Sequence, residues 1–154
     1  MKALRLLSLL LVALTLGLAF AHVMEFPGKL RFDGPLWLTV QQNLYVAFGV
    51  AGAGVEVAAI LSTWLLVPLV RRRPGFYWTL AAAISITVGL GVWFALVSPM
   101  NTVLDGWTPQ TLPQDWTAVR NQWEFGHAVH CVLFLLGFGA LAVALLVETP
   151  DRAA

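Results

Sequence analysis

The sequence predicts an all-α protein, a transmembrane antiparallel four-helix bundle, and three observations carry that expectation. The chain of 154 residues is 59% hydrophobic and only 11% charged, with a mean hydropathy of +0.80, far outside the mix of a soluble domain. Its apolar residues gather into four stretches, each close to the ~20 residues that cross hydrocarbon as a helix. Only short polar segments remain between them, which leaves room for a single integral membrane domain over residues 1–154 and for no soluble module.

The first span, about 4–22, reads LRLLSLLLVALTLGLAFAH, with a basic start and an Ala19-Phe20-Ala21 ending. A cleavable signal peptide has the same form, so removal of residues 1–21 stands as a rival reading. The next segment, HVMEFPGKLRFDGPLWLTVQQNLYVAFG, breaks at Pro27, Gly28, Gly34 and Pro35 and turns helix-compatible from about Leu36. In the second span, about 46–70, Gly49, Gly52, Ala53 and Gly54 suit a close approach by another helix, and Glu56 follows them. RRRPG then turns the chain, and Pro74 opens the third span, about 76–97. SPMN and the loop TVLDGWTPQTLPQDW lead into the fourth span, about 123–147. Trp37, Tyr45, Trp107 and Trp116 suit an aromatic belt at the interface. No internal repeat or heptad pattern is visible.

A formal net charge of +1 argues against a nucleic-acid surface, and the lone Cys131 excludes an internal disulfide and any multi-cysteine metal cluster. The expected partners are the lipid bilayer and a lipophilic small molecule. Lys2, Arg5, Arg71, Arg72, Arg73 and Arg152 fall on one side of the four spans, against Lys29, Arg31 and Arg120 on the other. That asymmetry places both termini in the cytoplasm of a multi-pass cell-membrane protein.

Ionisable residues inside a span are costly and by default mark a function or a buried partner. At 1.5 Å per residue, Glu56 lies roughly 21 Å, His130 roughly 25 Å, His22 roughly 27 Å and His127 roughly 30 Å above the inner ends of their spans. These groups from three helices therefore share the outer third of the membrane. Residues three or four apart share a helix face, which pairs His22 with Glu25 if the first helix continues that far. The same rule aligns Trp123, His127 and His130, and sets Glu124 with His127 and Cys131. Asn101 comes to the same level at the end of the third span. Lys29, Arg31 and Asp33 read as a solvated charge cluster, and Glu124 as a loop-edge residue whose change to Gln is mild.

HVMEFPGKL after the first helix, LYVAFG into the second, VSPMN closing the third and WEFGHA opening the fourth carry a resemblance. Over nearly its whole length the chain resembles the anthrone oxygenase-like family of small four-helix membrane proteins. The W-x-x-x-H spacing, here Trp123 to His127, recurs in that family, commonly with a basic residue three positions later; here that position is His130. Fungal members oxidise anthrones to anthraquinones without a conventional redox cofactor, so the resemblance implies the fold and an oxygenase reaction.

Several functional readings stay open at this point. In the first, His127 or Glu56 acts as base on a phenol- or quinol-like substrate in a site shaped by His130, Trp123 and Asn101; a base poised near neutrality suits His. In the second, His22, Glu25, Glu56, His127 and His130 ligate iron, copper or zinc. A haem held by His22 with His127 or His130 is a third. The last is a non-catalytic membrane subunit or ligand binder whose polar layer only sets helix register.

Overall fold

The computed structural model describes residues 1–149, which form six α-helices and no strand. Residues 150–154, Arg152 of the charge count among them, lie outside the described residues. The helices are α1 Lys2–Lys29, α2 Gly34–Leu44, α3 Ala53–Leu69, α4 Phe76–Val92, α5 Ser98–Asp105 and α6 Trp116–Leu146. A π-helical turn at Phe48–Gly52 runs into α3, and another at Trp93–Val97 joins α4 to α5. Four continuous columns result, Lys2–Lys29, Phe48–Leu69, Phe76–Asp105 and Trp116–Leu146, each long and apolar enough to cross a membrane. The chain is an integral, multi-pass membrane protein.

The distribution of side chains is inverted relative to a soluble protein. Leu6, Leu10, Leu14, Val50, Leu61, Leu65, Phe94, Leu135 and Leu136 are exposed, while Ser8, Thr15, His22, Lys29, Glu56, Thr63, Glu124, His127 and His130 are buried. Hydrocarbon is as apolar as leucine, so packing and interhelical hydrogen bonds hold such a bundle rather than a hydrophobic drive between its helices. One of those bonds runs from Ser85 Oγ on α4 to the Leu133 carbonyl of α6, at 2.7 Å.

α1 packs on α3 and α6, and α4 packs on the same two, which closes a ring of four neighbours. Their antiparallel order is pinned by Glu148 at the end of the bundle that carries the α1 N-terminus, named the inner end for that position alone. Its carboxylate accepts two bonds from the Arg5 guanidinium, at 2.7 and 2.8 Å, and one from the Gly75 amide. The start of α1, the end of α6 and the α3–α4 turn therefore meet. At the other end, Gln42 Nε2 of α2 donates to the carbonyls of Leu104 and Trp107, both at 2.9 Å.

Buried positions do recur at alternating steps of three and four, contrary to the reading that no heptad is present. On α1 they are Ser8, Val12, Thr15, Ala19 and His22, and on α6 His127, His130, Phe134, Gly137, Leu141 and Ala144. This is the seam of a coiled-coil-like bundle. Hydropathy hides it because the seam is built of small and polar residues while the lipid face is apolar. The glycines divide differently from expectation as well. Only Gly52 of the second-span group meets a neighbour, a Cβ there lying 3.1 Å from Leu18; Gly49 and Gly54 face open space, and Ala53 is exposed. Close helix approach is made instead by Gly137 against Ile86 and Gly126 against Val97, where a Cβ would stand at 2.5 and 2.7 Å.

The main departure lies at the outer end. α1 continues through Pro27 to Lys29 as one helix of 28 residues, about 42 Å long at 1.5 Å per residue, against hydrocarbon ~30 Å thick. Its buried Val12, Thr15 and Ala19 belong to the bundle seam. α5 and the start of α6 overshoot at the same end, and α2 lies with them. Trp37 and Tyr45 are thus not belt residues. They join Leu38, Val97, Leu104 and Trp123 in a buried aromatic cap, against which Trp107 and Trp116 pack. A separate core of Val12, Ala59, Ala82, Ile86, Phe134 and Leu141 fills the inner half.

The Glu148 carboxylate gives a pH prediction. Partial burial works against its charge, but the Arg5, Arg73 and Gly75 donors outweigh that and hold its acidity below the ordinary carboxylate value. A carboxylate depressed in this way stabilises the fold above its ordinary pKa, and the contribution is lost as pH falls through the depressed value. Glu148→Gln is expected to lower stability by about 1–2 kcal/mol at neutral pH, between the values for an exposed and a buried pair. Thermal unfolding in mild detergent should show the loss near neutrality and a shallower acid limb.

Candidate functional site

Between the inner core and the aromatic cap lies a polar layer, which α6 crosses at His130 and His127, with Phe134 of the core on one side and Trp123 of the cap on the other. Glu56 lies in the first turn of α3, just above Ala59 of the core. His130 Nε2 stands 3.0 Å from Glu56 Oε1, and both residues are buried. The shared level read from the sequence thus becomes direct contact between Glu56 and His130.

His127 lies one turn outward. Its ring centroid is 4.1 Å from that of Trp123, 4.3 Å from that of His22 on α1 and 6.5 Å from that of His130. The Trp123 indole N–H donates to Asn101 Oδ1 at 2.7 Å, which ties the wall of the site to α5. Trp123, His127, His130, Asn101, Glu56 and His22 therefore gather as the spacing implied. Glu25 sits at the edge, its Oε2 3.9 Å from His22 Nδ1 and hydrogen-bonded by the Tyr45 hydroxyl. Burial and that carboxylate push the Tyr45 phenol well above its ordinary pKa, so it stays protonated as a donor.

Two residues assigned to solvent belong to this layer. Lys29 is 3% exposed and Glu124 is 4% exposed. Lys29 Nζ stands 2.8 Å from Glu124 Oε1 and lies 4.7 Å and 5.2 Å from the ring centroids of Trp123 and Tyr45. The pair has the distance of a hydrogen bond without its angles, so both groups keep unspent bonding capacity. The cause is the continuation of α1, which sets Lys29 seven residues from His22 and on its face. The available signal was the spacing His22, Glu25, Lys29, masked by Pro27. Arg31 and Asp33 are exposed, as expected of solvated charges.

The metal set read from the sequence does not converge. Among the described residues, no group of three or more His, Cys, Asp or Glu side chains is placed to hold a metal ion. The five candidates separate into Glu56 with His130 and His22 with Glu25, with the His127 ring packed between those of Trp123 and His22. Nor do His22 and His127 suit a haem. Rings 4.3 Å apart leave no room for an iron and its porphyrin between them.

Two cavities flank the histidines. An outer one of about 290 Å³ is lined by His22, Gln41, Tyr45, Asn101, Asp105, Trp123 and His127. An inner one of about 310 Å³ is lined by Ala19, Gly52, Glu56, Leu90, His130 and again His22 and His127. Both volumes lie near the lower end of small-molecule sites. Phe48, Gly49 and Trp93, from the two π-helical turns, also line both. Such turns occur often at functional sites. Among the described residues neither ring nitrogen of His127 has a protein hydrogen-bond partner, and the Gln41 amide is buried with both polar atoms unpaired.

No protein-family model, curated protein or solved structure matches the chain.

Breaking a buried ion pair leaves an uncompensated charge, whereas replacing both partners by apolar residues is often neutral. Glu124→Gln is therefore expected to cost about 3–5 kcal/mol, not to be mild. Lys29→Met combined with Glu124→Leu should recover most of that loss in thermal unfolding. Equal stability of wild type and Glu124→Gln would remove the ion pair from this account.

Proposed function

We propose that the protein is a redox enzyme of the anthrone oxygenase-like kind, acting on a lipophilic aromatic or quinol-like substrate between its helices. In this reading it sits in the cell membrane with both termini cytoplasmic, and the polar layer lies toward the outer leaflet. The single observation that carries the reading is the His22–His127 pair. Its rings are 4.3 Å apart and border both cavities, and among the described residues none hydrogen-bonds the His127 nitrogens. An imidazole held by packing yet free at nitrogen is placed as a general base.

For an anthrone-like substrate, His127 takes a proton from the activated ring methylene and leaves an electron-rich carbanion. The carbanion reacts with dioxygen. One oxygen atom ends as the new ketone and the other leaves as water with the two methylene hydrogens. The substrate supplies all four electrons, so the balance needs no separate reductant. Trp123, fixed by Asn101, packs against the His127 ring and orients it at the border of the two cavities. Glu56 and His130 offer a second acceptor and donor pair for the substrate oxygens or for the departing proton.

The buried ion pairs, which fix helix register whether or not chemistry occurs, favour the alternative of a non-catalytic ligand binder. Oxygen uptake by purified protein with a simple anthrone separates the two. The proposal expects turnover that falls about 100-fold or more in His127→Gln, the usual scale for a lost general base, with folding intact. No uptake by the wild type, or equal uptake by the variant, ends the enzymatic reading.

Topology has its own test. Reporter fusions after Arg73 and after Gln114 are expected to give opposite signals, cytoplasmic for the first. Matching or reversed signals contradict this placement.

A further inference from the structure

The inner cavity does not end inside the protein. Gly49, Ala53 and Val57 all line it and are all exposed on the outside of the bundle, Val57 at 48%. They are four residues apart and so form one stripe along the second column. Facing them, Leu90 and Phe94 are one turn apart, line the same cavity and reach the surface at Phe94, which is 61% exposed. The stripe belongs to the membrane-crossing column Phe48–Leu69, and the facing pair to the column Phe76–Asp105. Between these rims is a slot whose lips are apolar and whose floor is the Glu56–His130 pair. The slot is open because Gly49 has no side chain and Ala53 only a methyl; a Cβ at Gly49 meets nothing within 4 Å.

We infer that this slot admits a flat, hydroxyl-bearing aromatic molecule sideways from the bilayer, and that the inner cavity is where it binds. The inference rests on the reading that the protein takes a lipophilic aromatic or quinol-like substrate between its helices, and adds the route and the seat. An apolar body satisfies the slot walls. A hydroxyl finds partners at the floor, where, among the described residues, Glu56 Oε2 and both His127 nitrogens make no hydrogen bond and both side chains line the cavity. A lipid acyl chain brings no such group. The outer cavity, bordered by Gln41, Asn101 and the exposed Asp105, is the water-side compartment, and the His22–His127 pair is the partition between the two.

The test measures binding, so it stands apart from turnover. Wild-type protein in lipid nanodiscs is titrated with 1-naphthol and, separately, with 1-naphthol-4-sulfonate, which carries the same ring and hydroxyl but stays in water. Saturable binding of 1-naphthol is expected, with the sulfonate at least 10-fold weaker. Gly49→Leu fills the slot and should weaken 1-naphthol at least 10-fold, and Val57→Trp, which borders the inner cavity and not the outer one, should do the same. Gly54→Leu is the control, because Gly54 also faces open space on the same helix but does not line the cavity. Should Gly49→Leu fail to accumulate, Val57→Trp narrows the slot from the next turns and reads the same effect. Equal binding by the slot and control variants, or equal binding of the sulfonate, overturns the slot while leaving the oxygenase reading intact. Absence of saturable 1-naphthol binding overturns the inference as well, and a lipid-filled slot would produce that result.

Discussion

The contact between Glu56 and His130 is the constraint around which this bundle is arranged. A carboxyl group within a span must find a partner inside the protein, since hydrocarbon offers none. At 3.0 Å the histidine supplies it, and the pairing fixes the height of α3 against α6. Once that height is set, His127 falls beside His22 and Trp123 falls beneath α5, so the layer is completed by geometry already chosen.

The Lys29–Glu124 pair does for α1 and α6 what Glu56–His130 does for α3 and α6. It adds a cost of its own, because a lysine buried at 3% exposure must be surrounded. Two aromatic faces, the Glu124 carboxylate and the nearby Glu25 provide that surrounding. The aromatic cap is the structural consequence: Trp37, Tyr45 and Trp123 are withdrawn from the interface to cover the charges. At the inner end, by contrast, Glu148 is held by arginines near the surface, where charges cost less.

A bundle closed by a cap at one end and a packed core at the other still has two cavities, and residues of the π-helical turns border both. Each turn widens its helix locally and brings Phe48, Gly49 and Trp93 to the shared boundary of the cavities. A polar mouth at the cap and an apolar slot in the span then serve different solvents. The histidine pair lies where they meet.

The sequence by itself determined the all-α class, the four spans and the depth of the ionisable residues, because span length and the 1.5 Å rise per residue are local properties of the chain. It also placed Trp123, His127 and His130 on one face, and Glu56 within reach of a fourth-helix histidine. Only the tertiary structure decided where the apparent loop charges go. Lys29 looks solvated after Pro27 and Gly28, and is buried only because Glu124, 95 positions later in the chain, awaits it on another helix. The heptad seam was hidden for a related reason: its inward positions are small or polar, Ser8, Thr15, His22 and Gly137 among them, so an apolar repeat marks the lipid face and packing selects the inner one. The slot, likewise, belongs to no single helix; Gly49 and Phe94 form it only when two columns stand side by side.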